Sequence, residues 1–149
     1  MNEKDIEYYY NKILKMVEKI VGKTTTNSIQ LDNVGKILFN NEWGGIFSSD
    51  TIPLKSKMKK YSITNNKPRE HFGEHWISLL KDGKNIIIYD SFGRETKNLL
   101  PSYFKKNKNC IVDTDYDKEQ NLLETNCGAR CIAFLLFCKY FGVENGLKL

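Results

Sequence analysis

The chain has 149 residues, enough for a single domain that buries roughly 70% of the surface of its unfolded form. Hydrophobic residues make up 40% and charged residues 28%, as in soluble globular proteins, and no apolar run reaches the ~20 residues of a membrane span. The net charge is +5, with lysine clusters at 55–60 and 105–108 that predict a solvated basic surface or, alternatively, a nucleic-acid patch.

Helical periodicity marks the first part of the chain. Apolar residues from Asp5 to Val21 recur at helical spacing, and Gly22 predicts the end of that helix. A polar loop is predicted at Thr24–Asn27, and a short helix or turn at Ile29–Phe39. The next segments are a turn-rich stretch with two glycines and a proline, a basic stretch without a clear pattern, and a polar loop: Trp43–Pro53, Lys55–Tyr61 and Asn65–Glu70.

Two strands, His75–Leu80 and Asn85–Tyr89, flank an Asp-Gly step that predicts a tight hairpin turn. The three consecutive isoleucines of the second strand favour burial on both faces. With the turn centred between Asp82 and Gly83, the pairing places His75 directly opposite Asp90, with both side chains on one face of the hairpin.

The remaining elements complete an α+β pattern in one domain, residues 1–149, which we expect to be a monomer. A C-terminal helix is predicted from Cys127 to Tyr140 or Phe141, capped by Asn126 and ended by Gly142. The other two predicted elements are a helix and a third strand, Glu95–Lys106 and Cys110–Thr114.

The cysteines predict free thiols. The first ten residues contain acids and no apolar signal core, so we expect no secretory signal, and reduced thiols are favoured over disulfides. Cys127, Cys131 and Cys138 share one apolar helical stretch, and the chain has only two histidines. That arrangement argues against zinc, and we expect no metal site.

Cys127 is the thiol best placed to react, because it opens a helix. Unpaired backbone N–H groups and a nearby imidazolium lower the pKa of a thiol in such a position. His75 supplies an imidazole at a strand end, although a purely structural histidine is an equal reading of that residue alone. Gly128 is expected to leave room for the backbone of a substrate. Cys131 and Cys138 have the surroundings of small core residues.

These residues stand in an order that resembles the adenovirus protease (adenain) family, including its relatives in virophages and Polinton-like elements. The broader clan includes the proteases that process SUMO and other ubiquitin-like proteins. The similarity covers roughly residues 43–138, and its matching pieces are Gly44–Asp50, Gly73–Trp76, Ile88–Gly93, Gln120 and Cys127–Cys131. His71 is the nearest competing base, but it has neither the tryptophan neighbour nor the opposed acid.

The resemblance implies a papain-like or adenain-like fold with a mixed, mostly antiparallel sheet and the nucleophile at the start of the buried C-terminal helix. It implies that Cys127 attacks the peptide carbonyl, His75 acts as acid and base, and Asp90 orients His75. Gln120, together with the Cys127 backbone N–H, is implied to stabilise the oxyanion. The residues expected near the substrate are Trp43, Gly44, Gly45, Trp76 and Gly128; the two tryptophans have core positions as an equal alternative.

The function implied is a thiol endopeptidase that cleaves capsid or core precursors during virion maturation, in the virion and the host-cell cytoplasm. No cofactor is required by this chemistry, but the resemblance implies an activating peptide and DNA. Cys110 lies where relatives link to such a peptide, and a buried strand cysteine is the alternative reading. Two other functions remain open: a deubiquitinase or deSUMOylase, and an inert basic DNA-binding virion protein.

Overall fold

A computed structural model describes residues 1–23, 26–67, 75–114, 120 and 125–149. Within these residues the elements run in the order α1 Glu3–Val21, α2 Ser28–Phe39, β1 Trp43–Phe47, β2 Tyr61–Asn65, β3 Trp76–Asp82, β4 Asn85–Tyr89, α3 Thr96–Leu99, α4 Pro101–Asn107, β5 Ile111–Asp113, α5 Cys127–Phe141 and α6 Val143–Gly146. The α+β class is confirmed. Across the described residues, every helix is too short or too polar to span a bilayer.

The two N-terminal helices form as their sequences predict, because each has a side-chain cap and one apolar face. The Asn2 side chain accepts a hydrogen bond from the backbone N–H of Asp5 at 2.9 Å, which satisfies an unpaired donor at the start of α1. Asn27 and Gln30 form a reciprocal capping box at the start of α2. The predicted ends at Gly22 and Phe39 are confirmed.

The described strands form one mixed sheet in the order β1-β2-β3-β4-β5, with two central antiparallel pairings and two outer parallel ones. The predicted β3–β4 hairpin is present, but its register differs by two residues. Asp82 pairs with Asn85, and the turn consists of Gly83 and Lys84. Gly83 has a φ of +59° at the first turn position, where type II′ hairpin turns favour glycine.

Two strands were not predicted, and each has a local reason. β1 contains Gly44 and Gly45, which predicted turns; in the structure they form a bulge against β2, and Gly45 has a φ of +119°. β2 was not predicted because its residues are largely polar, although Ser62 and Thr64 are completely buried in the structure. The polar loop predicted from Asn65 therefore starts at the last residue of β2.

The helix predicted at Glu95–Lys106 is instead two short helices, α3 and α4. Leu100 takes a non-helical conformation, with φ −133° and ψ 63°, because the ring of Pro101 disfavours helical geometry in the preceding residue. Leu99, Leu100 and Tyr103 cover one face of the sheet together with Met58. The third strand predicted at Cys110–Thr114 is confirmed as β5.

Helix α5 packs between the other face of the sheet and α1, and its residues from Gly128 to Cys138 are all buried. It begins and ends where predicted, and Gly142 ends it with a φ of +88°. Asn126 occupies the N-cap position, but its side chain does not cap the helix. Its Oδ1 accepts a hydrogen bond from Arg130 Nε at 3.1 Å instead.

Candidate active site

His75 directly precedes β3, and two hydrogen bonds to Asn66 hold its backbone in place. Its N–H donates to Asn66 Oδ1, and its carbonyl accepts from the backbone N–H of Asn66, both at 3.1 Å. The imidazole is 4% exposed, and its Nε2 hydrogen bonds to Asp90 Oδ1. The predicted contact between the two side chains is present, although the predicted position of Asp90 directly opposite His75 is wrong.

The carboxylate of Asp90 is buried and divides its two oxygens between different partners. Oδ1 faces His75, and Oδ2 accepts hydrogen bonds from the backbone N–H and the Nε of Arg94, both at 2.9 Å. Burial alone would raise the pKa of Asp90, but the hydrogen bonds and charges of His75 and Arg94 outweigh it and lower the pKa to about 2. Asp90 is therefore ionised at neutral pH.

The thiol of Cys127, at the first residue of α5, lies beside the imidazole of His75, and the two groups shift each other's pKa. Because Nε2 of the ring faces Asp90, Nδ1 is the nitrogen that remains for the sulfur. The backbone N–H groups of Trp76 and Gly128 also lower the pKa of this thiol. Burial would raise the pKa of Cys127, but these donors and the charge of His75 lower it overall.

The other two thiols of α5 have the opposite behaviour, as their predicted core positions require. Burial raises the pKa of Cys131 well above its ordinary value and that of Cys138 to about 12. Burial would also lower the pKa of His75, but hydrogen bonds to Asp90 and Cys127 raise it overall. A lowered thiol pKa beside a raised imidazole pKa favours a thiolate–imidazolium pair, the reactive form of a nucleophilic cysteine.

Gln120 is buried and forms two hydrogen bonds with Ser91, the residue after Asp90. Its backbone N–H donates to the Ser91 carbonyl at 2.9 Å, and its Oε1 accepts from the Ser91 hydroxyl. The hydroxyl thereby holds the side-chain amide with its oxygen toward Ser91. Sequence reasoning included Gln120 but missed Ser91, which only its place after the acid could have indicated.

Trp76 and Gly128 are both brought to Cys127, but Thr26 uses the space next to them. The indole Nε1 of Trp76 donates to the Thr26 carbonyl at 3.2 Å. A Cβ added to Gly128 would lie only 2.1 Å from Thr26 Oγ1. The room predicted at Gly128 for a substrate backbone is therefore filled by Thr26. No pattern in the sequence singled out Thr26, because it lies in a run of three threonines.

Trp43, Gly44 and Gly45 have structural roles in β1, and contact of Gly44 and Gly45 with a substrate stays a prediction. The Trp43 ring is 5% exposed, stacks on Phe39, and donates to Asp32 Oδ1 at 2.9 Å. The two glycines form the bulge described above, and a Cβ on Gly44 would lie 2.4 Å from Ser62 Oγ. For Trp43, the alternative of a core aromatic is the one that the packing supports.

All four cysteines lie in the described ranges, and none forms a disulfide. Cys110 is half-buried beside β5, and its thiol donates to the Asn107 carbonyl at 3.2 Å. In the part of the chain that the structure describes, no group of three histidine, cysteine, aspartate or glutamate side chains could hold a metal ion. His71, Gly73 and Glu74, and parts of the loops predicted at Thr24–Asn27 and Asn65–Glu70, lie outside the described residues.

Comparison with known proteins adds one relative. No protein-family model matches the chain. The chain is 28% identical over 140 residues to a protein named Protease from Ovine adenovirus D serotype 7 (isolate OAV287), an alignment that covers 83% of this chain and 69% of the relative. This similarity supports a distant relationship to adenovirus proteases and, in general terms, a viral protease function.

Proposed function

We propose that this chain is a cysteine endopeptidase in which Cys127 is the nucleophile, His75 the general acid and base, and Asp90 the group that orients His75. The observation that carries the proposal is the position of the imidazole, which is buried between the Cys127 thiol and the Asp90 carboxylate. The similarity to an adenovirus protein named Protease supports peptide-bond hydrolysis in general, independently of this geometry.

In this mechanism the Cys127 thiolate attacks the carbonyl carbon of the scissile peptide bond, and His75 donates its proton to the leaving amine. Water then hydrolyses the thioester, with His75 accepting a proton from it. The backbone N–H groups of Trp76 and Gly128 favour the ionised form of the thiol before attack. Asp90, ionised at neutral pH, stabilises the imidazolium throughout.

The oxyanion of the tetrahedral intermediate needs donors, and we assign this role to Gln120 and the Cys127 backbone N–H. The contact with Ser91 supports the assignment of Gln120. With the amide oxygen engaged by the Ser91 hydroxyl, the amide nitrogen is the group through which Gln120 would donate to the oxyanion.

As substrates we propose capsid or core precursor proteins cleaved during maturation, which would place the enzyme in the virion and the host-cell cytoplasm. The support is the similarity to an adenovirus protease, together with the resemblance of motifs. An activating peptide and DNA are part of the same proposal. Exposed lysines of the 55–60 and 105–108 clusters supply a basic surface for DNA.

A peptide library derived from whole-proteome digests tests the proposal, with cleavage sites read by mass spectrometry for the wild type and Cys127→Ala. We expect new termini with a shared sequence motif in the wild-type sample alone, and faster cleavage when DNA is added. Conjugates of ubiquitin-like proteins ending in Gly-Gly form a second arm. Cleavage of those conjugates alone would replace the maturation function with deconjugation. No cleavage in either arm, together with no reaction of Cys127 with a thiol-directed peptide electrophile, would refute the endopeptidase.

A further inference from the structure

Arg94 is the partner of Asp90 that the proposed mechanism does not use. The turn that follows β4 brings it there: the Gly93 N–H donates to the Asp90 carbonyl at 2.9 Å, and Gly93 has a φ of +69°. This left-handed residue reverses the chain, so that the backbone N–H of Arg94 faces back toward the carboxylate. The Nε of the same residue adds a second hydrogen bond to the same oxygen.

Arg94 also contacts the imidazole of His75 indirectly, because the ring of Phe92 lies between them. Its guanidinium carbon lies 5.1 Å from the centre of the Phe92 ring, a distance at which a cation is attracted to an aromatic face. The Phe92 ring in turn packs on His75, with 4.9 Å between ring centres and 33° between the planes. Arg94, Phe92, His75 and Asp90 therefore form a closed circuit of contacts.

The charge of Arg94 contributes little to its interaction with Asp90, because the side chain is 45% exposed and solvent screens it. Its geometry is more informative. A carboxylate with one oxygen held by two donors cannot rotate about its Cβ–Cγ bond without breaking both hydrogen bonds. That restraint keeps the second oxygen directed at His75.

Resting on the proposed function, we infer that Arg94 is a positioning residue, which fixes the rotation of the Asp90 carboxylate and clamps Phe92 against the imidazole. Its contacts are with the Asp90 carboxylate and the Phe92 ring, and neither contact involves the Cys127 sulfur. It acts on the rate through the orientation of His75. This role is separate from the four roles assigned above, and it explains why an arginine follows the acid by four residues, within reach of its second oxygen.

The test compares Arg94→Met, Arg94→Lys and the control Lys97→Met. Methionine keeps an apolar stem over Phe92 but removes the Nε–H donor, and lysine keeps the charge without that donor. Lys97 is an exposed neighbour that pairs with Glu95 at 3.2 Å. Melting temperatures check that each variant is folded. We expect all of them to fold, because the Arg94 side chain is exposed.

We expect kcat to fall about 10-fold in Arg94→Met and Arg94→Lys with KM nearly unchanged, while Lys97→Met matches the wild type. The alkaline limb of the pH–rate profile should move to lower pH in both Arg94 variants, because a misoriented carboxylate stabilises the His75 imidazolium less. A lost structural contact that leaves the site intact would not move this limb. Wild-type profiles in Arg94→Met, or full recovery in Arg94→Lys, would overturn the positioning role.

A second readout separates this inference from the proposed function. NMR titration of the His75 ring, with its signals assigned in a His71→Gln background, needs no peptidase activity. A lower His75 pKa in Arg94→Met supports the positioning role even if the wild type cleaves no peptide. An unchanged His75 pKa refutes the positioning role, even if the wild type proves to be an active protease.

Discussion

The Nε2 of His75 contacts the Asp90 carboxylate just beyond the last paired residues of the β3–β4 hairpin. Ser78 and Tyr89 form that last pair; His75 directly precedes β3, and Asp90 directly follows β4. The chain turns after Asp90, where the Gly93 N–H donates to the Asp90 carbonyl at 2.9 Å. This turn places the Phe92 ring on the imidazole of His75, with 4.9 Å between ring centres.

Removal of the orienting charge is the first prediction. We expect Asp90→Asn to fold normally and to lower kcat by roughly 10²–10⁴, because an amide cannot stabilise the imidazolium. The pKa of His75, which Asp90 raises, should fall, so the alkaline limb of the pH–rate profile should move to lower pH. Steady-state rates across pH measure both effects. Asp82→Asn, at the exposed end of the same hairpin, is the control, and equal loss in that variant would contradict the assignment.

The reactivity of the thiols provides a second prediction that needs no substrate. Iodoacetamide should alkylate Cys127 before Cys131 and Cys138 in the native protein, because the pKa of Cys127 is lowered and burial raises the other two. The rate should decrease as pH falls through the Cys127 pKa and the thiolate takes up a proton. Peptide mapping by mass spectrometry identifies the labelled residue.

The same labelling in His75→Ala provides the control for that experiment. Without the imidazole, the burial of Cys127 is no longer offset by its main hydrogen-bond partner, so its pKa should rise. Alkylation of Cys127 should therefore require more alkaline pH in His75→Ala than in the wild type. Identical pH profiles for the two proteins would mean that His75 does not activate the thiol.

The tether between Ser91 and Gln120 yields a third prediction. Gln120→Ala should lower kcat by roughly 10²–10³, as for other lost oxyanion donors. Ser91→Ala should lower it less, because Gln120 stays but its amide is no longer fixed. If Ser91 acts only through Gln120, the double variant should be no slower than Gln120→Ala. Ser78→Ala removes a buried hydroxyl that donates to the Cys131 carbonyl at 3.1 Å, and it serves as the control.

The fourth prediction concerns the tight contact between Gly128 and Thr26. Gly128→Ala should reduce the free energy of unfolding by about 1–3 kcal/mol, because its new methyl group would meet Thr26 Oγ1. Thr26→Ala removes that oxygen, so the double variant should be more stable than the sum of the single effects predicts. Urea denaturation of the wild type, the two single variants and the double variant gives the four free energies of unfolding. Strictly additive changes would show that the clash with Thr26 Oγ1 does not cause the loss of stability in Gly128→Ala.

Much of the fold was predictable because local patterns decided it. The capped amphipathic helix α1, the isoleucine run of β4 and the apolar helix α5 each have a period or composition that suits one structure only. The bulged strand β1 and the polar strand β2 could not be predicted in this way. Their residues are typical of turns, and only pairing within the sheet makes them strands.

The candidate site followed the same division. Cys127 was predictable from its place at a helix start, and His75 and Asp90 from the hairpin, even though the register was wrong by two residues. That error did not separate the pair, because a shift of two keeps both side chains on one face. The contributions of Thr26 and Arg94 could not be predicted from the sequence. Thr26 meets Trp76 and Gly128 only in the folded chain, and Arg94 faces Asp90 because of the left-handed Gly93, which no local pattern specifies.

The burial of α5 from Gly128 to Cys138 ties the nucleophile to the most protected part of the domain. Because buried core helices lie at the high end of the range of opening free energies, we expect amide protons in the middle of this helix to exchange with solvent through global unfolding. Slow exchange along α5 would therefore report global unfolding. Any substitution that weakens the core would lower the fraction of molecules with a formed thiol site, even at a distance from Cys127.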